Sequence, residues 1–410
     1  MRSTRQELGQ RSETVRRANL SAIVRTLHES GPQSRSDLVA HTGLTRSAIR
    51  VLVGELTAAG LASEDRAVRR GRPGRPSPEV SLVPDALPAV AFSIGVDSLS
   101  AAVIGLGGIV LGVVRIDRPR GHDGVNAIVD DLVGLLDRLP GGRPQSGSVV
   151  AVGVAVAGVV RSRDGLVEVA PNLGWSNVPF GALLADRLGW RVAVVVRNEA
   201  DLGVLAEHRR GAAIGVDDVV YVHGEAGVGS GIIVDGRPLA GAAGYAGEIG
   251  HLPFVGQVRC RCGSVGCWET EVGGGALLAR AGLPRDAGSE GLERVFAAAE
   301  AGDPAALQAI EATGRALGVG LGGLVNTFNP RMVVLGGFFG RLHQQARQVI
   351  WEELERHSLP APRAMVRVVP AALGVDAPLL GAAEVALEPV LADPATRLGS
   401  RGSLVQLASA

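Results

Sequence analysis

The three cysteines of this 410-residue chain, Cys260, Cys262 and Cys267, fall within eight positions, and His251 precedes them by nine residues. Thiolate sulfur and imidazole nitrogen are the donors zinc prefers, and three Cys with one His complete a four-coordinate shell. Gly263 and Gly266 permit the sharp turns that bring sulfurs two and five residues apart onto one ion. A secreted disulfide scaffold would spread its cysteines through the chain rather than gather them here. The spacing predicts a structural zinc held by His251, Cys260, Cys262 and Cys267, with no open position for hydrolysis.

A second group of residues has chemistry suited to nucleic acid. The whole chain balances 41 basic against 41 acidic residues, but residues 1–84 hold 14 Arg against 8 acids. Apolar residues Val15, Ala18, Ile23, Val24 and Leu27 predict a helix over 15–30, stopped by Gly31-Pro32. Ser36 is expected to cap a second helix that Gly43 ends, and Thr45 a third that runs through Leu56 to Gly60. Thr45, Arg46, Ser47 and Arg50 would form the exposed face of that third helix, and Arg35, just before the second, would join them in contacting DNA. Two short strands, 61–64 and 79–83, would bracket a basic loop carrying Arg69, Arg70, Arg72 and Arg75. Three helices followed by strand, basic loop and strand is the winged helix-turn-helix plan. Its third helix enters a major groove, and an Arg-rich wing suits a narrow minor groove. Double-stranded operator DNA is the expected partner.

The elements that must carry these groups belong to an α/β protein. Hydrophobic residues make up 46% of the chain, and its length predicts two or three compact units. Apolar runs at 89–96, 101–104, 149–156 and 192–196 predict strands of one half, with a helix over 124–139. Runs at 219–222, 231–234 and 332–335 predict a second half. The longest apolar run, 149–160, is broken by Gly and too short for a bilayer, so no membrane partner is expected. The first residues, Met1 to Arg5, lead into no apolar stretch, so a cytoplasmic protein is expected.

The stretch from Gly241 to His251, with Gly247-Glu248-Ile249-Gly250-His251 at its end, runs on to Cys-x-Cys-Gly-x-x-Gly-Cys-x-Glu. This combination resembles the signature of the ROK family of repressors, open-reading-frame proteins and sugar kinases. Pro171 to Trp175 and Asn198 to Asp201 resemble that family's sugar-contact segments. The resemblance covers about residues 15–390, and its DNA-binding arm is similar to the repressor branch, the repressors of xylose and N-acetylglucosamine genes. It implies an actin-like, two-lobed sugar-kinase fold behind the winged helix-turn-helix. The expected organisation is a DNA-binding unit over 1–84 and a ROK domain over 85–390. The lobes would span about 85–197 and 198–374, a C-terminal helix would return to the first lobe, and 391–410 would be a disordered tail. The resemblance further implies that Asn172, Asn198, Glu199, Glu248, His251 and Glu269 face a sugar, with Glu199 at the kinases' catalytic-base position.

Against the kinases' Asp at that position, Glu199 adds a methylene, which matters where attack geometry is tight. The kinases' first phosphate loop, Asp-x-Gly-Gly-Thr, is matched only by Asp97-Ser98-Leu99-Ser100. The second loop carries Glu225, whose charge opposes a phosphate, and Gly336-Gly337 leads into Phe338-Phe339. These departures predict a sugar-binding sensor without turnover, a repressor of carbohydrate genes acting as a homodimer or homotetramer. The alternative is an active ATP-dependent sugar kinase with an accessory DNA-binding arm.

Overall fold

The computed structural model describes residues 3–65, 78–118 and 124–396. A long helix, Ser3–Ser30, opens the chain, followed by helices Arg35–Thr42 and Arg46–Ala58. The second helix starts two residues earlier than the hydroxyl at Ser36 suggests. Ser34 caps it instead, because Asp37 stands at the third helical position and returns the bond, closing a capping box. Thr45 caps the third helix through the Ala48 amide. Strand Glu79–Leu82 lies between Gln33–Ser34 and Ala62–Asp65 in an antiparallel sheet of three. Arg69, Arg70, Arg72 and Arg75 of the expected wing loop lie outside the described residues.

Two five-stranded sheets follow, and they share one topology. In the first, Ala89–Ile94 pairs antiparallel with Ser98–Ile104, which pairs antiparallel with Val110–Asp117, while Ala151–Val156 and Ala193–Asn198 continue in parallel on the other side. The second repeats that order with Val219–Gly224, Val228–Val234 and Arg237–Pro238, then Met332–Gly337 and Arg367–Pro370 in parallel. This is the duplicated α/β architecture that the resemblance implies. Nearly every side chain of Ala89–Ile94, Ala151–Val156 and Val219–Gly224 is buried, as central strands covered on both faces require.

Helix Glu199–Arg210 joins the lobes, with Leu202 packed in the core of the first sheet and Ala200 and Val204 in that of the second. Helix Ala377–Ala392 closes the fold against the first sheet. It approaches so closely that a Cβ on Gly153 would sit 1.9 Å from the Ala382 carbonyl oxygen. The same helix gives Ala386, Leu387, Val390 and Leu391 to a core shared with Leu20, Ile23, Val24 and Leu27 of the first helix. Order extends past the expected tail boundary at 391. The helix runs to Ala392, and Asp393 accepts from Arg17 at 3.1 Å, while residues 397–410 lie outside the described residues.

Candidate ligand cleft and nucleic-acid interface

Asn172, Asn198, Glu199, Glu248, His251 and Glu269 line one cavity of about 210 Å³ between the two lobes. The first lobe supplies Asn172 from the turn after strand Leu166–Ala170, and Asn198 and Glu199 from the strand-to-helix junction. The second supplies Glu248, His251 and Glu269 from the loops around the cysteines.

Their commitments differ. The Asn198 side-chain oxygen accepts from the Ala200 and Asp201 amides at 2.7 and 3.2 Å, and its amide donates to the Gly158 carbonyl at 2.9 Å. Asn198 is therefore first a helix cap, and only its remaining amide hydrogen is left for a ligand. Asn172 accepts from Arg261 Nη1 at 2.8 Å, which brings into the cavity an arginine that the sequence reading did not single out. Glu269 accepts from Cys260 Sγ at 2.7 Å and from the Val228 amide at 3.3 Å. A Cβ on Gly227 would stand 2.7 Å from that carboxylate, so the glycine is what lets this loop approach it.

Carboxylates dominate the electrostatics of the cleft. Burial pushes Glu199 up to about 7, helped by the nearby Glu225 and opposed by His223. Asp201, two residues on, is pushed up to about 7 by burial and by Glu248, against the pull of Arg197. Burial also raises Glu248, with His251 lowering it and Glu269 adding to the rise.

The His251, Cys260, Cys262 and Cys267 ligand atoms lie within 4.8 Å of one another. Cys262 and Cys267 sulfurs are 3.6 Å apart, and Cys260 Sγ is 3.7 Å from His251 Nδ1. Tetrahedral zinc with ordinary bond lengths sets sulfur–sulfur and sulfur–nitrogen separations of about 3.7 and about 3.5 Å. The donor set and its spacing fit such an ion. His251 turns Nδ1 to the thiols and Nε2 toward Glu248, 3.9 Å away, so one ring nitrogen remains on the cavity side.

Beside this cavity lies another of about 390 Å³, where the kinases' nucleotide motifs would fall. Glu225 and Ala226 border both. Asp97 reaches across the cleft to the Ser289 amide at 3.3 Å, and Phe338 packs at the margin against Phe296 and Phe339.

In the N-terminal unit, Thr45, Arg46, Ser47 and Arg50 are all exposed at the start of the third helix. Arg35 differs from them. It makes a two-pronged ion pair with Glu64, at 2.7 and 2.8 Å, which ties the second helix to the sheet.

The junction of this unit with the rest is polar as well as apolar. His28 and Glu384, each 1% exposed, meet at 3.0 Å between His28 Nε2 and the carboxylate. His28 Nδ1 accepts from the Gly107 amide, while Arg209 and Arg210 donate to Glu384 at 2.8 and 2.5 Å. Arg25 pairs with Glu388 one turn along. Burial alone would raise the Glu384 pKa, but His28, Arg210 and Arg209 hold it well below the usual carboxylate range.

A family model described as the ROK family matches residues 89–388. The chain belongs to the ROK family. The xylose repressor of Caldicellulosiruptor bescii is 28% identical over 358 residues, which cover 82% of this chain and 88% of the relative. A crystal structure of a ROK family transcriptional regulator, a homolog of the E. coli MLC protein, is similar with a TM-score of 0.73 at 27% identity. That match covers 94% of this chain and 99% of the regulator. A Streptomyces griseus ROK family glucokinase, solved with glucose and AMPPNP, gives 0.65 at 30% identity, covering 73% of this chain and 99% of the glucokinase. Among the described residues no helix is long and apolar enough to cross a membrane.

Proposed function

We propose that this chain is a sugar-responsive transcriptional repressor. Its first 84 residues act as a winged helix-turn-helix on operator DNA, and a sugar bound between the lobes changes its affinity for that operator. The observation that carries this reading is the helix Glu199–Arg210. It begins in the ligand cavity and ends on Glu384, to which the first helix is also tied through His28. Closure of the lobes on a sugar displaces the base of the DNA-binding unit through this one rigid element. Sugar alters DNA affinity only as far as it binds the two arrangements differently. The relatives support the reading. The 94% match to the ROK regulator leaves 6% of the chain unmatched, far less than the N-terminal 84 residues, whereas the glucokinase match leaves 27%.

Glu248, Glu269 and the free nitrogen of His251 would hydrogen-bond sugar hydroxyls, with Asn172 and Arg261 closing the rim. Zinc held by His251, Cys260, Cys262 and Cys267 would supply a closed structural shell that fixes the tautomer and aim of the His251 ring. Arg46 and Arg50 would meet base edges or phosphates, with Thr45 and Ser47 on the backbone, and Arg69, Arg70, Arg72 and Arg75 would enter a minor groove. Arg35 would act through its pairing with Glu64, holding the second helix rather than reaching DNA. Two or four copies present their third helices to a pseudo-palindromic site.

The test is selection of binding sites from a random DNA pool by the full-length zinc-loaded chain, followed by sugar titrations read by fluorescence anisotropy. A two-fold-related site is expected, with one sugar class shifting affinity about 5–150-fold. Arg50→Ala should abolish operator binding while thermal stabilisation by the sugar persists. An operator affinity untouched by every sugar overturns the sensor reading. A second reading, ATP-dependent sugar phosphorylation, draws on the pKa of Glu199, which suits a general base. Sugar-dependent ATP consumption by the same preparation would decide for it.

A further inference from the structure

Apart from the cysteines, the cleft gathers a second set of ligating groups. Glu199, His223 and Glu225 bring two carboxylates and an imidazole within 4.8 Å of one another. Glu199 opens the inter-lobe helix, and His223 and Glu225 stand at the end of strand Val219–Gly224 and in the turn after it. That turn is fixed, since the Glu225 amide donates to the Gly227 carbonyl and the Glu225 carbonyl accepts from Gly274.

His223 is the decisive residue. It is 3% exposed, and its Nδ1 pairs at 2.9 Å with the hydroxyl of fully buried Tyr221, on whose ring it stacks. Its Nε2 is buried and faces Glu225 Oε1 at 3.4 Å, short of a well-formed hydrogen bond; burial alone would lower the ring's pKa, but the pairing with Glu225 raises it. Buried polar atoms are ordinarily satisfied, and an orphan requires an explanation. Protonation of the ring supplies one positive charge to two carboxylates. A divalent cation answers all three groups together.

The donor types select the ion. One imidazole and two carboxylates suit a borderline-to-hard divalent metal, whereas the thiolates nearby suit zinc. The Tyr221 hydroxyl on the second ring nitrogen is the outer partner that a metal-bound histidine uses to fix its orientation. Glu199 and Glu225 both border the 210 Å³ cavity, and Glu225 also borders the 390 Å³ one.

We propose that Glu199, His223 and Glu225 form a second metal site, taking one divalent cation of the manganese or ferrous class in the wall between the two cavities. Three protein ligands leave coordination positions open toward the cavities, where ligand oxygens, including those of a phosphorylated sugar, can complete the shell. This last role rests on the sugar-sensor reading, so the metal is tested without sugar.

The experiment titrates Mn²⁺ into the zinc-saturated full-length chain and follows loss of the free-Mn²⁺ paramagnetic resonance signal. One Mn²⁺ per chain beyond the zinc is expected, and Glu225→Gln should weaken it about tenfold or more. Glu225 is 41% exposed at its side chain, so the substitution leaves the core filled. Unchanged zinc content and melting temperature will verify that, and Glu199→Gln carries the comparison if either changes. Failure of the zinc-loaded chain to take up Mn²⁺, or equal affinity in the substituted chains, overturns the proposal. A chain that binds Mn²⁺ yet ignores every sugar keeps the metal site and loses the sensor reading.

Discussion

At its N-terminus the helix Glu199–Arg210 carries Glu199 into the inter-lobe cavity with Asp201 close behind, and at its C-terminus it carries Arg209 and Arg210 into the junction with the N-terminal unit. The two ends obey one electrostatic rule, acids at the positive pole and bases at the negative, yet their carboxylate neighbourhoods move in opposite directions. In the cleft, burial first and neighbouring carboxylates second drive Glu199 and Asp201 up to about 7. At the junction, Glu384 and Arg209 border a larger cavity of about 710 Å³, yet Glu384 is paired with two guanidinium groups and a histidine, and its pKa is driven down. The cleft end sets carboxylates beside carboxylates, as a site for cationic or hydroxyl-bearing groups would. The junction end is fully paired, as a mechanical joint must be. About 18 Å of helix separates them.

Breaking the paired end has the largest expected effect. Glu384→Gln leaves Arg209 and Arg210 facing an uncharged amide in a buried site, and loss of one partner from such a network costs about 3–5 kcal/mol. Chemical denaturation should register that loss, and operator affinity should stop responding to ligand even where DNA is still bound. A full sugar response in Glu384→Gln would mean that the helix is not the link. The cleft end is broken more gently. Cys262→Ala should release zinc and weaken sugar binding about tenfold or more by freeing the His251 ring, measured by metal analysis and calorimetry. Zinc loss with unchanged sugar affinity would separate the two sites.

Acid titration is the mildest probe and the sharpest for the junction. A carboxylate whose folded pKa lies below its unfolded value of about 4.3 contributes stability that is complete above that value and lost as pH falls below it. Stability of the native chain should therefore decline as pH drops below about 4, and Glu384→Gln should flatten that decline. Urea midpoints across the acid range read both. Equal slopes in the two chains would show that Glu384 is not the group responsible.

Local patterns were legible without coordinates. The His251 and cysteine donors lie within seventeen residues of one another, so spacing alone brings them together, and the Thr45 cap and Gly43 stop follow from neighbours a few positions away. The central strands were visible as apolar runs because both their faces are buried. The start of the second helix is less legible, since Ser34 and Ser36 both offer a hydroxyl and only the reciprocal Asp37 bond chooses Ser34. His223 gave no signal beyond being one histidine at the end of an apolar strand.

The sequence by itself determined the donor cluster, the Thr45 cap, the alternation of strands and helices, and the family, because each depends on residues close along the chain or on a contiguous motif. Only the tertiary structure decided that Asn198 serves the helix before any ligand, that Arg35 is held by Glu64, that Arg261 enters the cavity, and that His223 meets Glu199 and Glu225. It also decided the junction, where His28 and Glu384 touch across 356 positions of chain. Whether two polar side chains so far apart meet depends on how the sheets and helices between them pack. Burial then sets whether such a group is satisfied, shifted in pKa, or left open for a ligand.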